Sequence, residues 1–239
     1  MTTDRRLSPV APPEEAAWGA PAQREALWPA RLAVLATVLL YVTLPEGLTL
    51  GAAPKWSVAI GEAVLLIPLT IAAPRMASGL RRWVRPAAIA SIAVVNLANV
   101  LSLVLLVNAL LHGRSKLGHV SLDGRTLILA AIETWLTNVI VFGLWYWELD
   151  RGGPGSRRRP DHRAPDFLFP QMITPTCTPG PWAPGFLDYL YVSFTNATAF
   201  SPTDTPPLTP WAKALMLVQS LISLLTLALV AARAVNILT

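Results

Sequence analysis

Three polar side chains lie inside stretches of the sequence that are otherwise apolar. Glu133 and Asn138 interrupt the run from 127 to 147, and Glu62 interrupts the run from 58 to 73. Ionisable groups are costly in hydrocarbon and often mark a pathway for ions or protons. The alternative is a carboxylate that is hydrated near the membrane surface or hydrogen-bonded to a neighbouring helix. The sequence leaves both interpretations open.

The motifs of the chain do not indicate an enzyme. No Gly-rich phosphate loop follows a predicted strand, no Gly-x-Ser-x-Gly occurs, and no histidine has metal-ligand spacing to a carboxylate. The single cysteine, Cys177, excludes an intrachain disulfide and a thiolate metal cluster. We therefore expect a protein that is not an enzyme, with no catalytic residues, no metal and no cofactor.

Composition indicates the class of protein in which these residues lie. Of 239 residues, 53% are hydrophobic and 14% are charged, with a net charge of +5. Soluble domains carry about 25% charged residues, so the chain is too poor in charge for a wetted surface. Basic loops beside apolar spans explain the positive charge better than nucleic-acid binding does. The sequence predicts an integral membrane protein whose main partner is the lipid bilayer.

Five stretches are apolar enough to cross the membrane as helices, or nearly so. A membrane helix needs about 20 largely apolar residues. The predicted spans are 32–50, 58–73, 87–111, 127–147 and 214–232. Tryptophans, which anchor helices at the membrane surface, fall at or near their ends: Trp28, Trp56, Trp83, Trp145, Trp147 and Trp211. The predicted fold is all-α, with five transmembrane helices.

A sixth apolar run, Phe186–Phe200, is too short to cross. Runs of this length are typical of re-entrant or interfacial segments. The run is followed by Ser201-Pro202-Thr203-Asp204 and by further prolines before the last span. Non-helical backbone at membrane depth is tolerated only when it is buried in protein or lines a water-filled cavity. The sequence therefore predicts a re-entrant half-helix and a pore-like loop before the last span.

The segment from Tyr191 to Lys213 resembles the pore domain of prokaryotic potassium channels. Those channels combine an aromatic-x-Ser-Phe segment, a Thr-x-x-Thr end to the pore helix, a Thr-Val-Gly-Tyr-Gly filter, Asp, and x-x-Pro-x-Thr-Pro-x-Ala-Arg. The two patterns align without a gap, and the last span is similar to the inner helix. The matching residues are Tyr191, Ser193, Phe194, Thr198, Asp204, Pro207, Thr209, Pro210 and Ala212, with Lys213 at a basic position. The C-terminal pattern is also similar to that of a family of uncharacterised bacterial membrane proteins.

The filter departs from the potassium-channel pattern. A potassium filter stacks backbone carbonyls from four chains, and its glycines allow dihedrals that other residues resist. Both glycines are missing here, Pro202 fixes φ and removes an N–H, and Ser223 stands at the usual hinge glycine. The resemblance therefore implies a pore-loop fold, but potassium selectivity does not follow from it. The candidate ion-pathway residues are Thr198, Ala199, Phe200, Ser201, Pro202, Thr203, Asp204 and Ser223.

The charge pattern, the predicted spans and the resemblance divide the chain into a polar tail (1–31), an accessory bundle of three spans (32–126) and a pore domain (127–239), and the resemblance covers only the pore domain. One pore loop cannot enclose a pore, so it implies a homo-oligomer, a tetramer by analogy, that conducts monovalent ions. The implied location is the bacterial inner membrane. One alternative is a non-conducting membrane protein that uses the pore-loop fold to bind a partner or ligand. Alternating-access transport is disfavoured because the chain shows no internal repeat.

The distribution of charge bears on orientation. With the N-terminus inside, the cytoplasmic segments hold thirteen arginines and Lys213, and the opposite segments hold five basic residues. The positive-inside rule then favours a cytoplasmic N-terminus. With five spans the pore-like loop would also be cytoplasmic, whereas potassium channels carry it outside. The sequence leaves the orientation open.

Other polar residues carry weaker expectations. Asn96 and Asn99 share a helix face and are expected to hydrogen-bond between helices. Gln219 and Ser223 either line a pore or pack against a partner helix. The basic run Arg157–Arg159 is expected to be a solvated loop or a lipid headgroup contact.

Overall fold

The structure is a computed structural model that describes residues 25, 27–49, 56, 78–112, 124–159, 163–174, 182–198 and 204–238. These residues form six α-helices and two 3₁₀ turns, one after α1 and one after α3. The helices are α1 (Trp28–Thr43), α2 (Ser78–His112), α3 (Gly124–Leu149), α4 (Pro170–Ile173), α5 (Phe186–Thr198) and α6 (Pro210–Leu238). The predicted all-α class is confirmed for this part of the chain.

Three helices are long and apolar enough to cross a membrane: Arg85–Ala109, Gly124–Gly152 and Pro210–Ala232. They correspond to the third, fourth and fifth predicted spans. The first predicted span forms a helix of 16 residues, shorter than a full crossing, because the chain leaves the helix just before Pro45. The second predicted span, 58–73, lies outside the described residues. The structure thus supports a membrane protein with three such helices.

Local sequence signals explain where α5 and α6 begin. Proline at the first helical position is favoured because its fixed φ suits a helix and its missing N–H is not needed there, and Pro210 occupies that position in α6. In α5 the Asp188 carboxylate accepts a hydrogen bond of 2.8 Å from the Gly185 N–H, which is half of a capping box. Burial raises the pKa of Asp188, while this hydrogen bond acts in the opposite direction.

Helix α3 is the centre of the fold and packs against α1, α2, α5 and α6. At one end, which we call the charged end, Arg85 of α2 bonds to Glu148 of α3, and Thr209 before α6 bonds to Asp166 after α3. At the apolar end, a cluster joins the end of α1, the end of α2, the start of α3 and Leu229 of α6. Helices α1, α2 and α6 therefore run in one direction, and α3 runs in the other.

Helix α5 begins at the charged end and ends near the middle of the bundle. The Trp135 indole N–H approaches the Ala197 carbonyl at 3.5 Å, and Trp135 lies about 20 Å along α3 from the charged end. Beyond α5, the Leu208 N–H donates to the Asp166 carbonyl at 2.8 Å, back at the charged end. The start of α5 and the segment around Leu208 therefore lie at the same end of the bundle, and the end of α5 lies near its middle.

Candidate functional site

The predicted ion-pathway residues fall at the inner end of α5 and beyond it. Thr198 is the last residue of α5, and its hydroxyl donates to the Thr195 carbonyl at 2.9 Å. Asp204 is exposed at the point where the described chain resumes. The residues between them, Ala199, Phe200, Ser201, Pro202 and Thr203, lie outside the described residues, as does Glu62.

Ser223 lies inside the bundle and not on its surface. The Asn138 amide nitrogen donates to the Ser223 hydroxyl at 2.8 Å and to the Gln219 carbonyl at 3.4 Å. Asn138 and Ser223 are both fully buried. This pair is a hydrogen bond between α3 and α6, and the role of Ser223 in an ion pathway stays a prediction.

Glu133 and Asn138 do not converge on one site. Five residues along a helix correspond to a rotation of about 140°, so the two side chains leave α3 on different faces. Asn138 is fully buried, whereas Glu133 is only partly buried. The two side chains therefore lie in different surroundings, and a role of either in an ion pathway stays a prediction.

Gln219 is the centre of a buried network that the sequence did not reveal. Its amide nitrogen donates to the Ser193 hydroxyl at 2.6 Å and to the Ser193 carbonyl at 2.9 Å. Its amide oxygen accepts from the Tyr146 hydroxyl at 2.5 Å and from the Asn196 amide at 2.8 Å. Every polar atom of the Gln219 side chain is thus paired, and the network ties α5 to α3 and α6.

The polar spacing on α5 and α6 could have indicated this network. Ser193 and Asn196 are three residues apart on α5, and Gln219 and Ser223 are four apart on α6, so each pair shares a helix face. Asn196 is also the first residue of a glycosylation sequon. Its amide is held by Gln219 and by the Met216 carbonyl at 3.0 Å, which leaves it committed to packing.

A second polar cluster lies at the charged end. The Asp150 carboxylate accepts from the Tyr189 hydroxyl at 2.5 Å, the Arg151 guanidinium at 3.1 Å and the Asp166 N–H at 2.7 Å. In return, the Asp166 carboxylate accepts from the Arg151 N–H at 2.9 Å. Burial raises the pKa of the Tyr189 phenol, which keeps its proton available to Asp150. The two aspartates join the end of α3 to the first turn of α5.

The turn after α3 depends on left-handed backbone. Arg151 has φ of 53°, Gly152 of 82° and Gly153 of 94°. Glycine accepts such angles readily, whereas a side chain resists them. The added Cβ of an alanine at Gly153 would lie 2.9 Å from the Glu148 carbonyl oxygen, so this position needs glycine.

Asp166 also holds the start of α6. Its second carboxylate oxygen accepts from the Thr209 hydroxyl and from the Trp211 indole N–H, both at 3.0 Å. Phe167, the next residue, is fully buried and pairs with Pro207 in an isolated β-bridge. The segment after residue 204 is thereby fixed to the segment before α5.

The expectation that Arg157–Arg159 is solvated is wrong for Arg157. Its side chain is 0% exposed and donates to the Trp147 carbonyl at 2.6 Å and the Asp150 carbonyl at 3.2 Å. The last carbonyls of a helix have no partner within the helix, and the turn after α3 brings this guanidinium back to them. Arg158 and Arg159 are exposed, as expected for a solvated loop.

Glu25 joins the cluster from the N-terminal segment. One oxygen of its carboxylate accepts from the Trp147 indole N–H and from the Phe186 backbone N–H, both at 2.7 Å. The other oxygen lies 3.5 Å from the Arg157 guanidinium. The sequence placed Glu25 in a polar tail, and no local pattern indicated a contact with a residue 161 positions away.

The asparagines of α2 differ from expectation. Asn99 is 2% exposed, and neither its amide nitrogen nor its oxygen has a hydrogen-bond partner among the described residues. Its helix face also carries Val95 and Leu106, which pack into predominantly apolar clusters. The predicted bond between helices is therefore not formed by Asn99 within this part of the chain.

The outward faces of α5 and α6 are apolar. Leu187, Tyr191 and Phe194 are exposed on α5, and Leu217, Leu221 and Leu224 are exposed on α6.

In the described segments, no three His, Cys, Asp or Glu side chains lie together as a metal site would require. No protein-family model, curated protein or solved structure matches the chain.

Proposed function

We propose that the chain is one subunit of an oligomeric, channel-like membrane pore in which α5 is a re-entrant half-helix. The course of α5 carries this proposal. It starts at the charged end, stops at the depth of Trp135, and is followed by residues that bond to Asp166 at the same end. Where a chain enters and leaves a bundle on one side, non-helical backbone at membrane depth must be buried in protein or line a water-filled cavity, and a narrow pathway is built in this way.

The inner end of α5 is suited to a cation pathway. The last carbonyls of a helix carry partial negative charge, which favours a nearby cation. Two of these carbonyls accept a hydrogen bond within the chain. The Asn196 carbonyl accepts from the Ser220 hydroxyl at 3.5 Å, and the Ala197 carbonyl accepts from the Trp135 indole N–H. That support lets the end of α5 stay at depth without full hydration, and Thr198 to Asp204 would then line the constriction.

We propose five spans and a cytoplasmic charged end in a bacterial inner membrane. Support for the second span comes from direction, because α1 ends at the apolar end and α2 begins at the charged end. Support for the orientation comes from charge. Even without Arg85, Arg151 and Arg157, which bond to acidic residues or to backbone carbonyls, ten of the thirteen arginines remain against five basic residues on the opposite side.

Flux through liposomes that contain the purified chain tests this proposal. We expect passage of monovalent cations with little preference between potassium and sodium, because the segment aligned with the filter lacks both glycines. Absence of flux for every monovalent cation and anion would overturn it.

One observation favours a second candidate, a non-conducting membrane protein that uses this fold to bind a partner or ligand. Three polar residues in the middle of α6, Gln219, Ser223 and Thr226, are fully buried, while the large side chains exposed there are leucine and valine. A helix that lines a water-filled pathway usually presents polar groups to it. A stable oligomer that passes no ion in the same assay would support this second function.

A further inference from the structure

We infer that Glu25 couples helix α1 to the half-helix α5 and sets the position of the first turn of α5. The inference rests on the proposed function only where it concerns ion passage. It gives α1 a role toward the segment that resembles a pore. The resemblance itself leaves α1 unexplained.

The carboxylate of Glu25 satisfies groups that belong to α5 and α3. The Phe186 N–H is one of the first N–H groups of α5, which have no partner within the helix, and it donates to Glu25 at 2.7 Å. A negative charge is also favoured at a helix N-terminus. The same oxygen accepts from Trp147 near the end of α3, so Glu25 bridges the two helices just before α1 begins.

Aromatic and cationic contacts fasten this bridge on both sides. The Arg157 guanidinium lies near the Glu25 carboxylate and 5.1 Å from the centre of the Tyr189 ring on α5. The Trp147 and Phe186 rings meet edge to face at 6.1 Å between centroids. The side chain of Glu25 is only 14% exposed. A displacement of α1 would therefore be transmitted to the first turn of α5 through a contact that is largely shielded from solvent.

The ion pair between Arg85 and Glu148 supplies a matched control. The distance between Arg85 and Glu148, 3.1 Å, is similar to that between Arg157 and Glu25, and both pairs lie at the charged end. The Arg85–Glu148 pair, however, joins α2 to α3. Among the described residues, the Glu148 carboxylate bonds to Arg85 and not to α5, although its charge lies near Arg157 and Glu25. E148Q therefore removes a charge from the same cluster without removing a bond to α5. A merely structural role for Glu25 predicts that loss of either carboxylate has the same kind of effect.

The test compares E25Q with E148Q in the full chain, reconstituted in liposomes. Hydrogen exchange at the backbone amides of residues 186–190 is measured first. We expect E25Q to speed this exchange by about tenfold, the size expected when hydrogen bonds to a charged carboxylate become bonds to a neutral amide oxygen. E148Q should leave the exchange of α5 unchanged. The relative permeability to sodium and potassium is measured on the same samples and should change only in E25Q.

The Trp147→Phe variant keeps the test informative should E25Q fold poorly. It removes the indole N–H and keeps an aromatic ring, so it should give a smaller acceleration of exchange that is not additive with E25Q. Unchanged α5 exchange in both E25Q and W147F, or an equal acceleration in E148Q, would overturn the coupling. Accelerated exchange without flux in any sample would leave the coupling standing and defeat the channel. Flux with unchanged α5 exchange would do the reverse.

Discussion

At the scale of single residues, buried polar side chains hold α5 in place. Gln219 is the clearest case, because its four hydrogen bonds involve residues of α3 and α5. Removing one partner from a buried network leaves the others unsatisfied, which costs more than the net value of the bonds. The stability of the chain should therefore depend on this residue more than its size suggests.

We predict that Gln219→Leu lowers the free energy of unfolding by about 2 to 3 kcal/mol, because it strands Tyr146, Ser193 and Asn196. Thermal unfolding in detergent measures the effect. Leu221→Ala on the exposed face of α6 is the control and should change stability little. Equal melting temperatures for Q219L and wild type would contradict the assigned network.

The pair of neighbours Arg157 and Arg158 gives a second test. Arg157→Ala leaves buried carbonyls and Glu25 without their cation, and breaking a buried pair in this way costs about 3 to 5 kcal/mol. Arg158 is exposed, so Arg158→Ala should change stability by less than about 0.5 kcal/mol. Melting temperatures of the two variants would decide the matter, and similar values would show that Arg157 is solvated after all.

At the scale of elements, the sequence predicted the helices better than their contacts. Hydropathy located α2, α3 and α6, and it placed the start of α5 at Phe186. These predictions succeed because the length of an apolar run, compared with the thickness of the bilayer, can be read from the local sequence alone. Ser193 and Asn196 looked like isolated polar residues, and Glu25 like part of a tail. Their partners are distant in sequence, and no local pattern specifies which helices meet.

The end of α5 carries a prediction about ions. Asp204 is exposed beside the proposed constriction, so Asp204→Asn should reduce the preference for cations over anions without loss of folded protein. Thr209 lies nearby but bonds to Asp166, so Thr209→Val should lower stability and leave ion preference unchanged. Reversal potentials under a salt gradient distinguish the two effects. An unchanged cation preference in D204N would remove Asp204 from the pathway.

At the scale of the whole molecule, the exposed apolar faces of α5 and α6 bear on assembly. A half-helix that ends at membrane depth needs protein or water around its end, and among the described residues α5 is covered mainly by α3 and α6, with a smaller contact to α1. We therefore expect copies of the chain to meet along these faces. Chemical cross-linking in native lipid should give discrete oligomers, up to a tetramer, and a homogeneous monomer there would contradict the pore.

The most direct measurement of the central claim is ion flux through liposomes that contain the purified full chain, with potassium, sodium and chloride compared in turn. The account predicts cation flux with little discrimination between potassium and sodium, and a reduced cation preference in D204N. Liposomes that hold a stable, folded oligomer and pass none of these ions would contradict it.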